Sequence, residues 1–133
     1  MAREFASDGI IIQNNKVLLV KRGFPPGVGE WAIPGGRIDY NEDTVGCLKR
    51  EMKEETNLEV EPIAFVGLYS DPKREPRQII TAAYLCKIVS GTVKNGDDAA
   101  DAQWFDIPKL PKLWADHGKI MKDALAVLKT LQK

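Results

Sequence analysis

An α+β fold, with a mixed β-sheet and helices packed on it, is the architecture this sequence predicts, and three observations predict it. Apolar, β-rich runs occur in two groups, one before and one after a single long helical pattern. A second helical pattern closes the chain, so the order is strands, helix, strands, helix, with no repeat or low-complexity tract between them. The 133 residues fit one domain, 1–133, which is long enough to bury a substantial core and too short for two ordinary domains.

Residues Phe5 to Ile12 and Lys16 to Lys21 are apolar and rich in Ile and Val. The turn-forming Gln13-Asn14-Asn15 separates them, so the pair reads as an antiparallel hairpin. Gly23 to Gly29, GFPPGVG, contains two prolines and three glycines and is expected to be a surface loop leading to Trp31-Ala32-Ile33. Phe24 in that loop has two readings: it could stack on a base, or it could pin the loop to the core. Pro34-Gly35-Gly36 then lets the backbone turn sharply and come close to another group before the helix begins.

Asn41 or Asp43 suits the N-cap of that helix, and the acidic Glu42-Asp43 pair suits the positive end of its dipole. Val45, Leu48 and Met52 fall at i, i+3 and i+7 and form an apolar stripe toward the core. Beyond the helix, Glu59 to Leu68 favours strand, and Tyr69 to Gln78, YSDPKREPRQ, is a polar loop. Ile79 to Val89 is a β-rich run ended by Ser90-Gly91. The turn-rich KNGDDAAD leads to a short strand at Gln103-Trp104-Phe105. Pro108 and Pro111 break the chain, and Asp116 to Leu131 finishes as a helix with apolar Ile120, Leu125, Leu128 and Leu131.

Composition narrows the function classes. Hydrophobic and charged fractions of 44% and 29% are those of a globular chain, which argues against disorder and against a membrane protein. Nineteen basic residues balance nineteen acidic ones, so no coating of nucleic acid or of an anionic membrane through bulk charge is expected; a local phosphate site stays open. Cys47 and Cys86 lack CxxC spacing and read as reduced thiols of a cytoplasmic protein. The N-terminal MAREFASDG has no apolar export region, and no run approaches the roughly 18 residues of a membrane helix. One histidine, His117, excludes a zinc site of several imidazoles, and neither a GxSxG elbow nor a GxxxxGK[ST] loop is present.

The chemistry lies on the first helix. Glu51, Glu54 and Glu55 are spaced three and four apart and fan over one side, beside the apolar stripe and not opposite it. Carboxylates held that close repel unless a cation sits between them, and hard divalent ions take such oxygen ligands. A second reading is a solvated face whose glutamates pair with Lys49, Arg50 and Lys53.

Spacing over a longer span decides between them. Gly36, Glu42 after five intervening residues, Arg50-Glu51 after seven more, then Met52, Glu54-Glu55 and Leu58 resemble the Nudix hydrolase box. That pattern is Gly, five residues, Glu, seven residues, Arg-Glu, an aliphatic, any residue, Glu-Glu, any residue, Gly, an aliphatic. The lead-in WAIPGG is similar too. The one departure is Asn57 where the family has Gly, and asparagine is the next most tolerant residue of a left-handed helix cap.

The resemblance implies an α/β/α sandwich and hydrolysis of a nucleoside diphosphate linked to another group. It assigns a divalent cation, Mg²⁺ or alternatively Mn²⁺, to Glu54, Glu55, Glu51 and the Gly36 carbonyl, with Glu51 as ligand or base. Arg50 is implied to orient a glutamate, and Glu42 to support the helix start. Among Asp97, Asp98 and Asp101, Asp101 looks like the outlying acid of the family, although aspartates also simply make turns.

Substrate identity lies outside the box. The loop SDPKREPR is similar to one in ADP-ribose pyrophosphatases of the family, which makes ADP-ribose the favoured substrate and a nucleoside triphosphate the alternative. Arg37, Arg74 and Arg77 are the candidate substrate contacts with Phe24, and Lys73 could join them; a solvated basic loop is the other reading. A homodimer is compatible with the sequence.

Overall fold

The computed structural model describes residues 2–93 and 101–132. Its elements in chain order are β1 (Phe5–Gln13), β2 (Lys16–Lys21), β3 (Trp31–Ala32), β4 (Gly35–Arg37), α1 (Thr44–Thr56), β5 (Glu59–Tyr69), β6 (Ile80–Ser90), β7 (Asp101–Asp106) and α2 (His117–Leu131). A 3-10 turn at Ile107–Lys109 follows β7.

β1 is the pivot of the sheet. It pairs antiparallel with β2 and β4 and parallel with β6, and β6 continues antiparallel to β5. On its other edge β2 pairs antiparallel with β3 and β7. The β1–β2 connection turns at Asn14 and Asn15, whose φ values of 51° and 60° are the both-positive geometry that tight hairpins use and asparagine tolerates.

Successive strand residues point to opposite faces, and each face meets one helix. Ile10, Leu19 and Leu85 pack with Ile120, Met121 and Ala124 of α2. Their neighbours Ile11, Leu18 and Cys86 pack with Leu48 and Met52 of α1. This alternation produces the expected α/β/α sandwich on a mixed sheet. Gly9 on β1 makes room for α1, since a Cβ there would lie 2.9 Å from Leu48 Cδ1.

Local details refine the sequence reading. Asp43, and not Asn41, caps α1, accepting from the Gly46 N–H at 2.7 Å. The buried stripe runs through Cys47, Leu48, Met52 and Thr56, while Val45 is only partly covered, because the helix seats over Gly9 on its Cys47 side. Pro34-Gly35-Gly36 was expected to turn; instead Gly35–Arg37 is β4, laid flat along β1. The close approach is real, since a Cβ on Gly35 would fall 2.1 Å from Asp8 Oδ1. Leu131, assigned to the apolar face of the last helix, is 51% exposed because that face ends at Leu128. Of the turn-rich segment before β7, residues 94–100 lie outside the described residues.

Candidate active site

One cavity of about 650 Å³ gathers residues from β1, β2, β4, α1, the loop after β5 and the start of α2. Glu51, Glu54 and Glu55 of α1 line it, as do Gly36 and Arg37. Phe24 lines it while remaining 61% exposed, so it stands at the rim and does not pin its loop to the core.

Arg50 organises the acidic side. Its Nε and Nη2 donate to the two oxygens of Glu42 at 2.6 and 2.9 Å, a bidentate pair, and its Nη1 donates to Glu51 Oε1 at 2.8 Å. Nη2 also donates to the Arg37 carbonyl at 3.1 Å. Arg50, helped by the Asp39 N–H that donates to Glu42 at 2.8 Å, holds the Glu42 carboxyl down at about 2. Glu54 is the exposed member, 3.4 Å from Arg50 Nη1.

Glu51 and Glu55 are each half committed. Glu55 Oε1 accepts from the Gly35 N–H at 2.9 Å. Among the described residues no group hydrogen-bonds Oε2 of either glutamate. Burial raises both pKa values, that of Glu55 to about 8 against the pull of the Gly35 N–H, and that of Glu51 against its bond to Arg50. A Cβ on Gly36 would lie 2.2 Å from the Glu51 carboxyl, so a side chain there would displace that carboxyl from its place beside the backbone.

This donor set fits a hard divalent cation: half-buried carboxylate oxygens without hydrogen-bond partners among the described residues, the exposed Glu54, and the Gly36 carbonyl, which Cys47 Sγ approaches at 3.3 Å. Among the described residues no three acidic, His or Cys side chains converge closely enough to form a finished cage, because Arg50 and Gly35 hold the carboxylates apart. Asp101 lies on β7 opposite Lys21, with its side chain outside the described residues, as are Asp97 and Asp98.

The basic loop divides its arginines between packing and the cavity. Arg74, expected to touch substrate, is only 3% exposed and its guanidinium is spent within the fold. It forms a bidentate pair with Asp116 at 2.9 and 2.8 Å and donates to the Ile79 carbonyl and Thr81 Oγ1. It thereby ties the loop to the start of α2 as a wall of the cavity. Asp116 consequently makes no side-chain cap to its own helix. Arg77 does line the cavity, paired with buried Glu75 at 2.8 Å, whereas Lys73 is exposed outside it.

Five lining residues carried no sequence signal: Asp8, Arg22, Glu75, Trp114 and His117. His117 Nδ1 accepts from the Ile33 N–H at 3.0 Å, so the neutral ring carries its proton on Nε2, 3.6 Å from Asp8 Oδ2. Burial lowers His117 to about 3 and raises Asp8 to about 7, so this contact is not an ion pair near neutral pH. Only the folded chain brings these two residues together.

Fold and cavity together define a protein that presents carboxylates for a cation beside guanidinium groups for a polyanion. The chain belongs to the Nudix hydrolase family: the family model described as NUDIX domain matches residues 4–124. An ADP-ribose pyrophosphatase of Methanocaldococcus jannaschii is 44% identical over 119 residues, covering 89% of this chain and 70% of the relative. A putative 8-oxo-dGTP diphosphatase of Bacillus subtilis is 30% identical, covering 83% and 70% respectively. The crystal structure of an ADP-ribose pyrophosphatase from Streptococcus suis superposes with a TM-score of 0.78 at 25% identity, covering 97% of this chain and 92% of that one. No helix of the described residues is long and apolar enough to cross a membrane.

Proposed function

We propose that this chain, acting as a single domain over residues 1–133, hydrolyses ADP-ribose to AMP and ribose 5-phosphate with Mg²⁺ as its cation. The 44% identity to an ADP-ribose pyrophosphatase across nine-tenths of the chain is the observation that carries the substrate. Glu54, Glu55 and the Gly36 carbonyl would hold the ion, with Glu51 as a further ligand or the base, and Asp101 is the candidate outlying acid. Bound there, the ion neutralises diphosphate charge and acidifies a water.

The chain's own groups do the positioning. Arg50 locks Glu51 in place while being locked itself by Glu42, so the glutamate needs no reordering when substrate arrives. Glu51, whose Oε1 is fixed by Arg50 and whose Oε2 makes no hydrogen bond among the described residues, would serve with that oxygen either as a further ligand or as the base that takes a proton from the attacking water. Phe24 at the rim stacks on the base, and Arg37 and Arg77 contact the anionic part of the substrate. Two buried free cysteines support a cytoplasmic setting.

Product analysis tests this reading. Purified protein with Mg²⁺ should convert ADP-ribose to AMP and ribose 5-phosphate, and Mn²⁺ in its place ranks the metals. Pyrophosphate released from nucleoside triphosphates, with ADP-ribose untouched, would move the assignment to the reaction class in the name of the Bacillus relative. No turnover on a broad nucleotide panel would leave a binding module. Size-exclusion chromatography settles whether two copies pair.

A further inference from the structure

Beside Arg77 the cavity wall contains two residues that the proposed chemistry leaves unused, Trp114 and Arg22. Trp114 is 7% exposed, and the Arg22 guanidinium carbon lies 3.9 Å from its ring centroid, within cation–π range; that of Arg77 lies 5.5 Å away. Gly27 presses on the indole edge: a Cβ there would fall 2.4 Å from Cδ1 and Nε1, and its φ of 81° is a conformation glycine favours. Arg22 Nε donates to the Pro26 carbonyl at 2.7 Å. One indole therefore anchors both the end of β2 and the Gly23–Gly29 loop that carries Phe24. With Arg22 on its face and Gly27 on its edge, Trp114 offers no open platform to a base on that side.

Charge is unevenly matched around this indole. Arg77 has Glu75 as a carboxylate partner at 2.8 Å. Arg22 has no ion pair among the described residues, and its two Nη atoms make no hydrogen bond there. Burial, followed by repulsion from Arg77, pushes its pKa down and outweighs the pull of the carboxylates of Glu75, Glu55 and Asp8, none of which pairs with it directly. A partly buried guanidinium with free donors, aimed into a cavity, is matched by an oxyanion.

We infer that Trp114 is a positioning residue that holds Arg22 against an oxyanion of a phosphorylated substrate, giving the cavity a cationic end built on one indole. This deepens the proposed hydrolysis and relies on it only for the identity of the molecule that carries the oxyanion. Trp114→Ala and Arg22→Ala should each raise KM for ADP-ribose about tenfold while changing kcat less than about threefold. The double variant should be no worse than about either single one, because both remove the same contact. Trp114→Phe retains a ring face and should bring KM back to within about threefold. KM increases that multiply in the double variant overturn the inference.

Arg22→Lys tests it without touching the indole, so it decides if Trp114→Ala fails to fold. Loss of the planar fork should raise KM about fivefold, and a wild-type KM contradicts the assignment. Calorimetric binding of inorganic pyrophosphate without metal needs no turnover, and Arg22→Ala should weaken it about tenfold. Unchanged pyrophosphate affinity in Arg22→Ala sinks the subsite. Intact Arg22-dependent binding in a wild type that leaves ADP-ribose uncleaved sinks the substrate assignment instead.

Discussion

The two walls of the cavity are built on opposite principles. The acidic wall comes almost entirely from one contiguous stretch, Gly36 to Glu55, in which Glu51, Glu54 and Glu55 share one side of α1 and Arg50 reaches back to Glu42. It is left electrostatically unfinished, with free carboxylate oxygens and raised pKa values. The opposing wall joins residues far apart in sequence, Arg74 with Asp116 and Asp8 with His117, and most of its groups are satisfied inside the fold. Chemistry is concentrated where charges lack partners, and stability where they have them. Substitutions in the two walls should therefore fail in different ways.

Glu54→Gln is the sharpest break. Glu54 is exposed, and its contact with Arg50 is long at 3.4 Å, so the fold loses little. Turnover should fall about a thousandfold, because a neutral amide is a poor ligand for a hard cation. Steady-state kinetics at saturating Mg²⁺, with a Tm within about 2 °C of wild type, check both halves. Near-wild-type kcat would remove Glu54 from the ion's ligands.

Arg74→Met should show the reverse pattern. Truncating a guanidinium that is 3% exposed leaves Asp116 partnerless at the start of α2 and costs about 3 kcal/mol, read by urea denaturation. Residual folded enzyme should retain kcat to within about fivefold, since Arg74 shapes the wall without facing the reacting atoms. A large kcat loss without loss of stability would return Arg74 to the substrate.

These two residues also show what the sequence made legible. Features with a short-range cause could be read: the paired asparagines of the first turn, a cap at Asn41 or Asp43, the left-handed Asn57, the box itself. The apolar periodicities placed α1, α2 and five of the strands to within a residue or two of their ends. β4 was missed because its glycines are strand residues only by virtue of lying against β1, where Gly35 leaves no space between Ser7 and Asp8 for a side chain. The pairing of Arg74 was not legible because its partner lies 42 residues away, and no local pattern distinguishes a guanidinium bound for a buried carboxylate from one bound for a phosphate. Trp114 and His117 carried no motif for the same reason.

The buried carboxyls of the two walls, Glu55 on the acidic side and Asp8 opposite, should make metal-free stability depend on pH. Glu55 rises from its ordinary 4.5 to about 8 on folding and Asp8 from 3.8 to about 7, so the folded state keeps protons that the unfolded chain releases. Their contribution is present at low pH and is lost as pH rises through those folded values. His117, lowered to about 3 from 6.5, acts oppositely below about pH 6.5 and is silent above it. The window from about pH 6.5 to 8 is therefore clean, and the Tm in chelator should drop there by about 5 °C. Millimolar Mg²⁺ at pH 8 should recover most of that loss, because it binds the ionised carboxylates of the folded state alone. A flat, Mg²⁺-insensitive profile contradicts the burial assigned to Glu55.

The smallest effect should come at the hinge between the chemistry and the sheet. Asn57 sits at φ 65°, ψ 20°, its N–H bonded to the Lys53 carbonyl, in a conformation that costs asparagine some energy and glycine almost none. Asn57→Gly relieves that cost, but it also removes the Nδ2 hydrogen bond to the Thr92 carbonyl at 3.1 Å, at an exposed position. Each term is about 0.5 to 1 kcal/mol and they oppose, so the Tm should move by less than about 3 °C. Activity should be unchanged, because the backbone path of α1 ahead of the cap is fixed by Leu48 and Met52 over Gly9. A large activity loss with stability intact would mean that the Asn57–Thr92 contact helps set the approach to β7 and Asp101, which would make the cap part of the site.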